Sequence, residues 1–235
     1  MLLRLDKLLS NRGLCSRREV VELIRERRLT YKGELVTRAD VKVEAEEVLL
    51  DGQPLEADRL YILLYKPKGY VCTHEEGKSK LVYELLPERF SKRKPALQSV
   101  GRLDKDTTGV LLFTDDGQLN HILLSPQRHV SKVYEVWLDT PVSEDDIEEL
   151  SSGGFYLDGD PKPLQPAKVT LIDNSHLYLE IVEGRYHQVK RMFSQLGHTV
   201  INLHRFRFAN LNLDGLEIGQ WRYLNDKEVD GLKDG

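Results

Sequence analysis

The run Gly101-Arg102-Leu103-Asp104-Lys105-Asp106-Thr107-Thr108-Gly109 leads directly into Val110-Leu111-Leu112-Phe113. Four large apolar residues in a row, preceded by turn-forming residues, predict a short buried strand from Gly109 to Phe113. Three readings of the charged cluster at its entrance compete. Asp104, Asp106, Thr108 and Gly109 imitate the first half of an EF-hand calcium loop. The imitation fails further on: the twelfth position is Asp115 rather than Glu, and a strand replaces the exiting helix. A plain charged loop is the second reading. The third is a nucleophilic or general-base carboxylate. An Asp flanked by Arg102 and Lys105, and able to pair with a distant cation, keeps its charge because opposite charges favour the ionised form. An ionised Asp can attack an electrophilic carbon with neither metal nor cofactor.

The distant cation is available further along. Gly184 to Leu213 contains five basic residues, three histidines and no acid. Within it, Glu183-Gly184-Arg185-Tyr186-His187-Gln188-Val189-Lys190-Arg191-Met192-Phe193 opens a helix expected from Tyr186 to Leu196. Val189, Met192, Phe193 and Leu196 share its apolar face. Such a helix could equally serve only to bind phosphate, and His187 alone reads as a surface or capping residue.

Around these segments strands dominate. Tyr61 to Tyr65 is a strand stopped by Pro67 and Gly69, Val133 to Leu138 alternates as a half-exposed strand, and His176 to Val182 is another. Ser143 with Asp146 caps an acidic helix. No repeat and no Gly-rich phosphate loop occurs, which argues against nucleotide-driven chemistry. The expected class is α+β with a mixed, mostly antiparallel sheet.

The first residues form a separate, basic unit. Met1 to Arg38 holds ten basic residues against five acidic, and Ala39 to Leu60 reverses this with two against seven. Leu5, Leu8 and Leu9 give one helix, stopped by Gly13. Ser16 and Glu19 form a capping box for a second, with Val20, Leu23 and Ile24 on one face. At about 100° per residue, Arg17, Arg18, Arg25 and Arg28 fall on the other arc, apt for RNA phosphates; an ordinary solvated face is the alternative. A hairpin turns at Lys32-Gly33, and Val48-Leu49-Leu50 is a strand followed by the turn Asp51-Gly52. Leu55 to Arg59 lacks periodicity and is the candidate linker. Two domains follow, residues 1–58 and 59–235, the first small but able to fold alone.

Composition narrows the class. A net charge of −4 excludes a globally basic nucleic-acid binder while leaving local basic patches possible. Two cysteines, Cys15 and Cys72, make neither a disulfide framework nor a zinc site. Charge interrupts the apolar N-terminus at once, so no signal peptide is expected, and no stretch suits a membrane span. A reducing, cytoplasmic setting is expected.

Gly101-Arg102-Leu103-Asp104-x-Asp106-Thr107-Thr108-Gly109 with its following strand resembles the catalytic motif of pseudouridine synthases. Gly184 to Met192 resembles the basic C-terminal motif of that family. Lys66-Pro67-x-Gly69 and Lys132-x-Tyr134 lie where its other two motifs stand, and the first unit is similar to the S4 RNA-binding domain. The resemblance implies that uridine is isomerised: its N1–C1′ bond breaks, the base turns, and C5 bonds to C1′. No redox change occurs, so neither cofactor nor metal is expected. It implies Asp104 as the essential carboxylate, Tyr134 stacking on the extruded uracil, and Lys190 pairing with Asp104, with Arg191 as the alternative partner. Arg102 would fill the gap left by the base or hold its phosphate. Arg185, Arg191, His187 and Arg205 are further substrate-binding candidates, and Arg17, Arg18, Arg25 and Arg28 are those for docking RNA. Phe206-Arg207-Phe208-Ala209 departs from the Ile-Gly pair usual after His204-Arg205, which changes the expected pocket shape. Thr114 to Gln118 and Glu183 to Phe193 point to the branch acting on 16S ribosomal RNA, as free RNA or a partly assembled small subunit. Such an enzyme is expected to be monomeric. The alternatives are a 23S target, a non-catalytic ribosome assembly factor and a glycosidase using Asp104 and Asp106.

Overall fold

The computed structural model describes residues 2–75 and 77–234, which divide into two compact units. The first gathers the chain up to Leu60 together with Leu86–Gln98 and Thr114–Asp116. Its opening helix, Leu5–Asn11, buries Leu5, Leu8 and Leu9, each worth about 1.5–3 kcal/mol on removal from water. Gly13 follows at φ +72°, and a Cβ there would lie 2.2 Å from the Arg89 carbonyl oxygen, so only glycine fits. Ser16 and Glu19 close a capping box: the Ser16 N–H donates to Glu19 Oε2 at 2.6 Å, and the Glu19 N–H to Ser16 Oγ at 3.3 Å. The helix they open, Glu19–Arg25, turns Val20 into the core with Leu23 and Ile24 packed beside it.

That helix is shorter than its charge pattern suggests. Arg27 adopts φ +59° and ends it, so Arg28 lies beyond the helix and forks onto Asp51, at 2.8 and 2.7 Å. The four arginines therefore do not share one helical arc. A four-stranded sheet follows in the order Glu34–Leu35, Leu29–Tyr31, Val48–Leu50, Gln53–Pro54. Its tight turns have positive φ at Lys32 and Gly33, and at Asp51 and Gly52, the geometry that matches hairpin twist.

The aperiodic stretch Leu55 to Arg59 is tied down rather than free. Glu56 receives both Arg89 Nε and Nη2, the Ala57 and Asp58 carbonyls accept from Arg93, and Arg59 pairs with Asp116. Arg93 also meets Asp115 at 2.8 Å, with both side chains 2% exposed. Asp115 accepts the Leu60 N–H at 2.7 Å.

The second unit is built on a mixed sheet. The path across it runs Lys168–Leu171, His176–Ile181, Lys132–Leu138, Val200–Phe208, Thr108–Thr114, Tyr61–Lys66 and Trp221–Tyr223. Thr108–Thr114 is buried along its whole length, as its apolar run requires. It pairs in parallel with Val200–Phe208, Gly109 opposite Arg205, whereas Lys132–Leu138 is antiparallel to both its neighbours. Leu63, Val100, Val110, Leu112, Leu119, Leu123 and Phe208 form one core cluster. The helix Glu144–Ser152 begins with the Ser143–Asp146 capping box. Among the described residues no helix is long and apolar enough to cross a membrane.

Candidate active site

The Asp104 loop is fastened through its backbone. Lys66, with no solvent exposure, donates from Nζ to the carbonyls of Pro67, Asp104 and Thr107 at 3.1, 3.0 and 2.8 Å. The Thr107 N–H closes the turn on the Asp104 carbonyl at 3.1 Å, and the Gly69 N–H reaches the Lys105 carbonyl at 2.7 Å. Burial pushes the Lys66 ammonium down to about 8, because charge is disfavoured away from water. The motif Lys66-Pro67-x-Gly69 by itself gives Lys66 no role. Its role is to hold three carbonyls, and one ammonium with three donors suits that task.

The Asp104 side chain meets a lysine and a histidine from the acid-free segment. Lys190 Nζ lies 3.2 Å from Oδ2 and His187 Nε2 lies 3.3 Å from Oδ1. Lys190 also binds Asp106 Oδ1 at 2.6 Å. Burial alone would lower the Lys190 ammonium, but the Asp106 hydrogen bond and the Asp104 charge outweigh it and raise it above the usual range. Burial would likewise raise the Asp106 carboxyl, yet Lys190 holds it below its ordinary value.

Lys190 and His187 come from the start of the helix Gln188–Gln195. That helix begins two residues later than the periodicity suggests, because His187 stands at φ +47°. The Gln188 side chain takes the Arg185 N–H at 2.9 Å and so folds the preceding turn. Val189, Met192 and Phe193 anchor the helix in the interior. Its own residue pattern marks His187 as a surface or capping residue, and the family resemblance as a substrate-binding candidate; its proximity to Asp104 depends on a turn that no local pattern marks.

Arg191, the alternative partner for Asp104, turns elsewhere. Its guanidinium reaches Asp160 Oδ1 at 3.1 Å and the Asp158 carbonyl at 2.7 Å. Arg185 also pairs with Asp160, at 3.3 Å, and with Glu183. Both arginines thus brace the 158–163 loop against the helix start rather than charging the carboxylate.

One cavity of about 780 Å³ is lined by Asp104, Tyr134 and Lys190 together with Arg102, Arg185, His187, Arg191 and Arg205. Tyr134 is 9% exposed on the strand Lys132–Leu138, directly opposite Arg205 in the ladder. Arg102 is exposed at the turn that Gly101 makes at φ +71°. Arg205 is 2% exposed, donates from Nε to the Val110 carbonyl at 2.8 Å, and lies over the Phe208 ring. Phe208, from the departing Phe206 to Ala209 stretch, lines the same cavity. Arg17, Arg18, Arg25 and Arg28 belong to the other unit. Among the described residues no group of three or more His, Cys, Asp or Glu side chains could hold a metal ion. The cavity brings the Asp104 carboxylate and the Tyr134 ring into one lining, in which basic side chains outnumber the acids Asp104, Asp160 and Glu183.

The profile of the RNA pseudouridylate synthase family matches residues 60–195, and that of the S4 domain matches residues 3–49. An uncharacterized RNA pseudouridine synthase of Aquifex aeolicus is 42% identical, covering 98% of this chain and 96% of that protein. The ribosomal small subunit pseudouridine synthase A of Escherichia coli K12 is 39% identical, over 97% of this chain and 98% of its own length. The protein of that name from Pasteurella multocida is 37% identical over the same shares. A solved pseudouridylate synthase structure aligns with a TM-score of 0.70 at 36% identity, covering 98% of this chain and 99% of that one.

Proposed function

The chain belongs to the RNA pseudouridine synthase family, and on that footing we propose that it isomerises a uridine of 16S ribosomal RNA, with Asp104 as the essential carboxylate. The substrate is the free RNA or a partly assembled small subunit, met in the cytoplasm by a monomeric enzyme. Relatives named for the ribosomal small subunit, matched over nearly their whole length, support that target over a 23S one.

The observation that carries the mechanism is Asp104 held between Lys190 and His187 in the cavity that Tyr134 also lines. A stacked base cannot present C1′ and C5 to a carboxylate, so the uridine is extruded. Tyr134 receives it on its ring face, and Arg102, at the cavity mouth, occupies the gap or holds the phosphate. The Asp104 carboxylate takes up C1′ as the N1–C1′ bond breaks, and the electron pair stays on the ring. After the ring turns, C5 bonds to C1′, the carboxylate is released, and the C5 proton leaves to solvent. Lys190 and His187 orient the carboxylate. Arg185 and Arg191 set the wall against which the base is bound.

The test is tritium release from 16S RNA carrying [5-³H]uridine, with Asp104→Ala alongside. Wild-type release, absent in Asp104→Ala at undiminished RNA affinity, is the expected result. Free uracil as product would instead indicate a glycosidase. No release from free RNA or from assembling subunits would leave an RNA-binding factor.

A further inference from the structure

Lys132 and Arg205 are two cations of the cavity that the reading above leaves without a task. Both lie over one ring, the Lys132 ammonium 5.7 Å and the Arg205 guanidinium 5.1 Å from the Phe208 centroid. Among the described residues neither forms an ion pair. Lys132 donates to the Val130 carbonyl at 2.7 Å, which uses one of its three hydrogens. Arg205 spends Nε on Val110, and its buried Nη2 meets no acceptor. Two uncompensated like charges, removed from water and side by side, are costly. Burial and the neighbouring Arg205 charge push the Lys132 ammonium down to about 8; Glu183 opposes this, but is itself bound to Arg185 and Gln188. The cost is recovered when negative charge enters the cavity.

Tyr134 stands directly across the ladder from Arg205 and two residues beyond Lys132. A planar base laid on Tyr134 therefore has its edge beside these cations. We propose that Lys132 contacts a carbonyl oxygen of the extruded uracil, with Arg205 adding its charge from behind, so that the pair stabilises the anionic ring formed when the N1–C1′ bond breaks. This rests on the isomerase reading. The electron pair left on N1 spreads to the ring carbonyl oxygens, so charge at the ring edge is larger in the transition state than in bound uridine. An interaction that strengthens in this way accelerates the step rather than tightening binding. A phosphate is a poorer occupant, because Arg205 is only 2% exposed, whereas Arg102 offers an exposed cation in the same lining.

The test uses the full-length protein and two RNAs, one with uridine and one with 5-fluorouridine, whose ring anion is intrinsically more stable. Substrate loss is followed under single-turnover conditions in nuclease digests. Lys132→Gln is expected to slow uridine conversion about 100-fold, with RNA affinity within about 3-fold of wild type. On 5-fluorouridine RNA its loss shrinks to less than about 10-fold, and Lys132→Arg recovers most of the rate on both RNAs. Arg205→Gln follows the same pattern where it folds; where it does not, Lys132→Gln and Lys132→Arg decide. Equal losses on the two RNAs would overturn the proposal in favour of a packing role. Weakened binding with an unchanged rate at saturation would make Lys132 a phosphate contact. If the wild type converts neither RNA, the isomerase reading itself fails.

Discussion

Gly109 lies so close to Arg205 that a Cβ on it would stand 2.3 Å from the Arg205 carbonyl oxygen and 2.6 Å from its nitrogen. Gly109 also sits at φ +121°, which side chains rarely tolerate. The strand that carries the Asp104 loop and the strand that carries Arg205 are thus locked together at one residue.

Gly109→Ala is accordingly expected to force these strands apart. Stability should fall by more than about 2 kcal/mol, read as an earlier denaturation midpoint, and tritium release should fall further than the folded fraction explains. A wild-type midpoint would mean that the strands yield easily.

Lys190 serves two carboxylates, and removing each partner separates their parts. Lys190→Met should reduce turnover at least about 100-fold, since Asp104 loses its nearest cation. Asp106→Asn frees the ammonium for Asp104 and should cost less than about 10-fold. The reverse order would make Asp106 the working carboxylate.

Lys66 gives a pH signature. Its folded value near 8 is below the ordinary 10.5, so between these values the unfolded chain holds the proton and the folded one does not. Stability contributed by this group is therefore smallest below pH 8 and rises up to pH 10.5. The unfolding free energy of the wild type relative to Lys66→Met should grow over that window in denaturant titrations. A flat difference would mean that Lys66 titrates normally.

In the first unit, Arg93→Met should cost about 3–5 kcal/mol, because it strands the buried Asp115 carboxylate. The double variant Arg93→Met with Asp115→Leu should recover part of the loss. Chemical denaturation of the three proteins checks both statements.

RNA docking should divide the arginines. All four are exposed, but Arg25 and Arg28 already pair with Glu22, Glu26 and Asp51, whereas among the described residues Arg17 and Arg18 form no such ion pair. Replacing Arg17 and Arg18 by Ala should weaken RNA binding and reduce its salt slope by about 1.5, while replacing Arg25 and Arg28 should change it less. Unaltered binding in both would leave this face merely solvated.

Local sequence carried a good part of this. The capping boxes at Ser16 and Ser143, the Lys32-Gly33 turn and the buried strand after Gly109 are short-range features, each set by residues within a few positions of one another. Apart from the Lys190–Asp104 pair that the family resemblance implies, what lies between distant residues was not legible. Nothing near Arg191 announces Asp160, so a cation adjacent to Lys190 is diverted into bracing a loop. Arg27 and His187, both at positive φ, respectively end a helix early and start one late, and no glycine marks either place. The charged stretch from Leu55 to Arg59 reads as a solvated connector until Arg89, Arg93 and Asp116 are brought to it.

That strap has a consequence for the order in which the protein is made. The Leu60 amide finds its acceptor 55 residues downstream, and Arg93 has its buried carboxylate only once Asp115 exists. A nascent chain emptied from the ribosome as far as residue 60 therefore carries a front quarter with its seam still open. The seam closes when the middle of the polypeptide has been synthesised, so the first unit to be translated is not one that can be completed first.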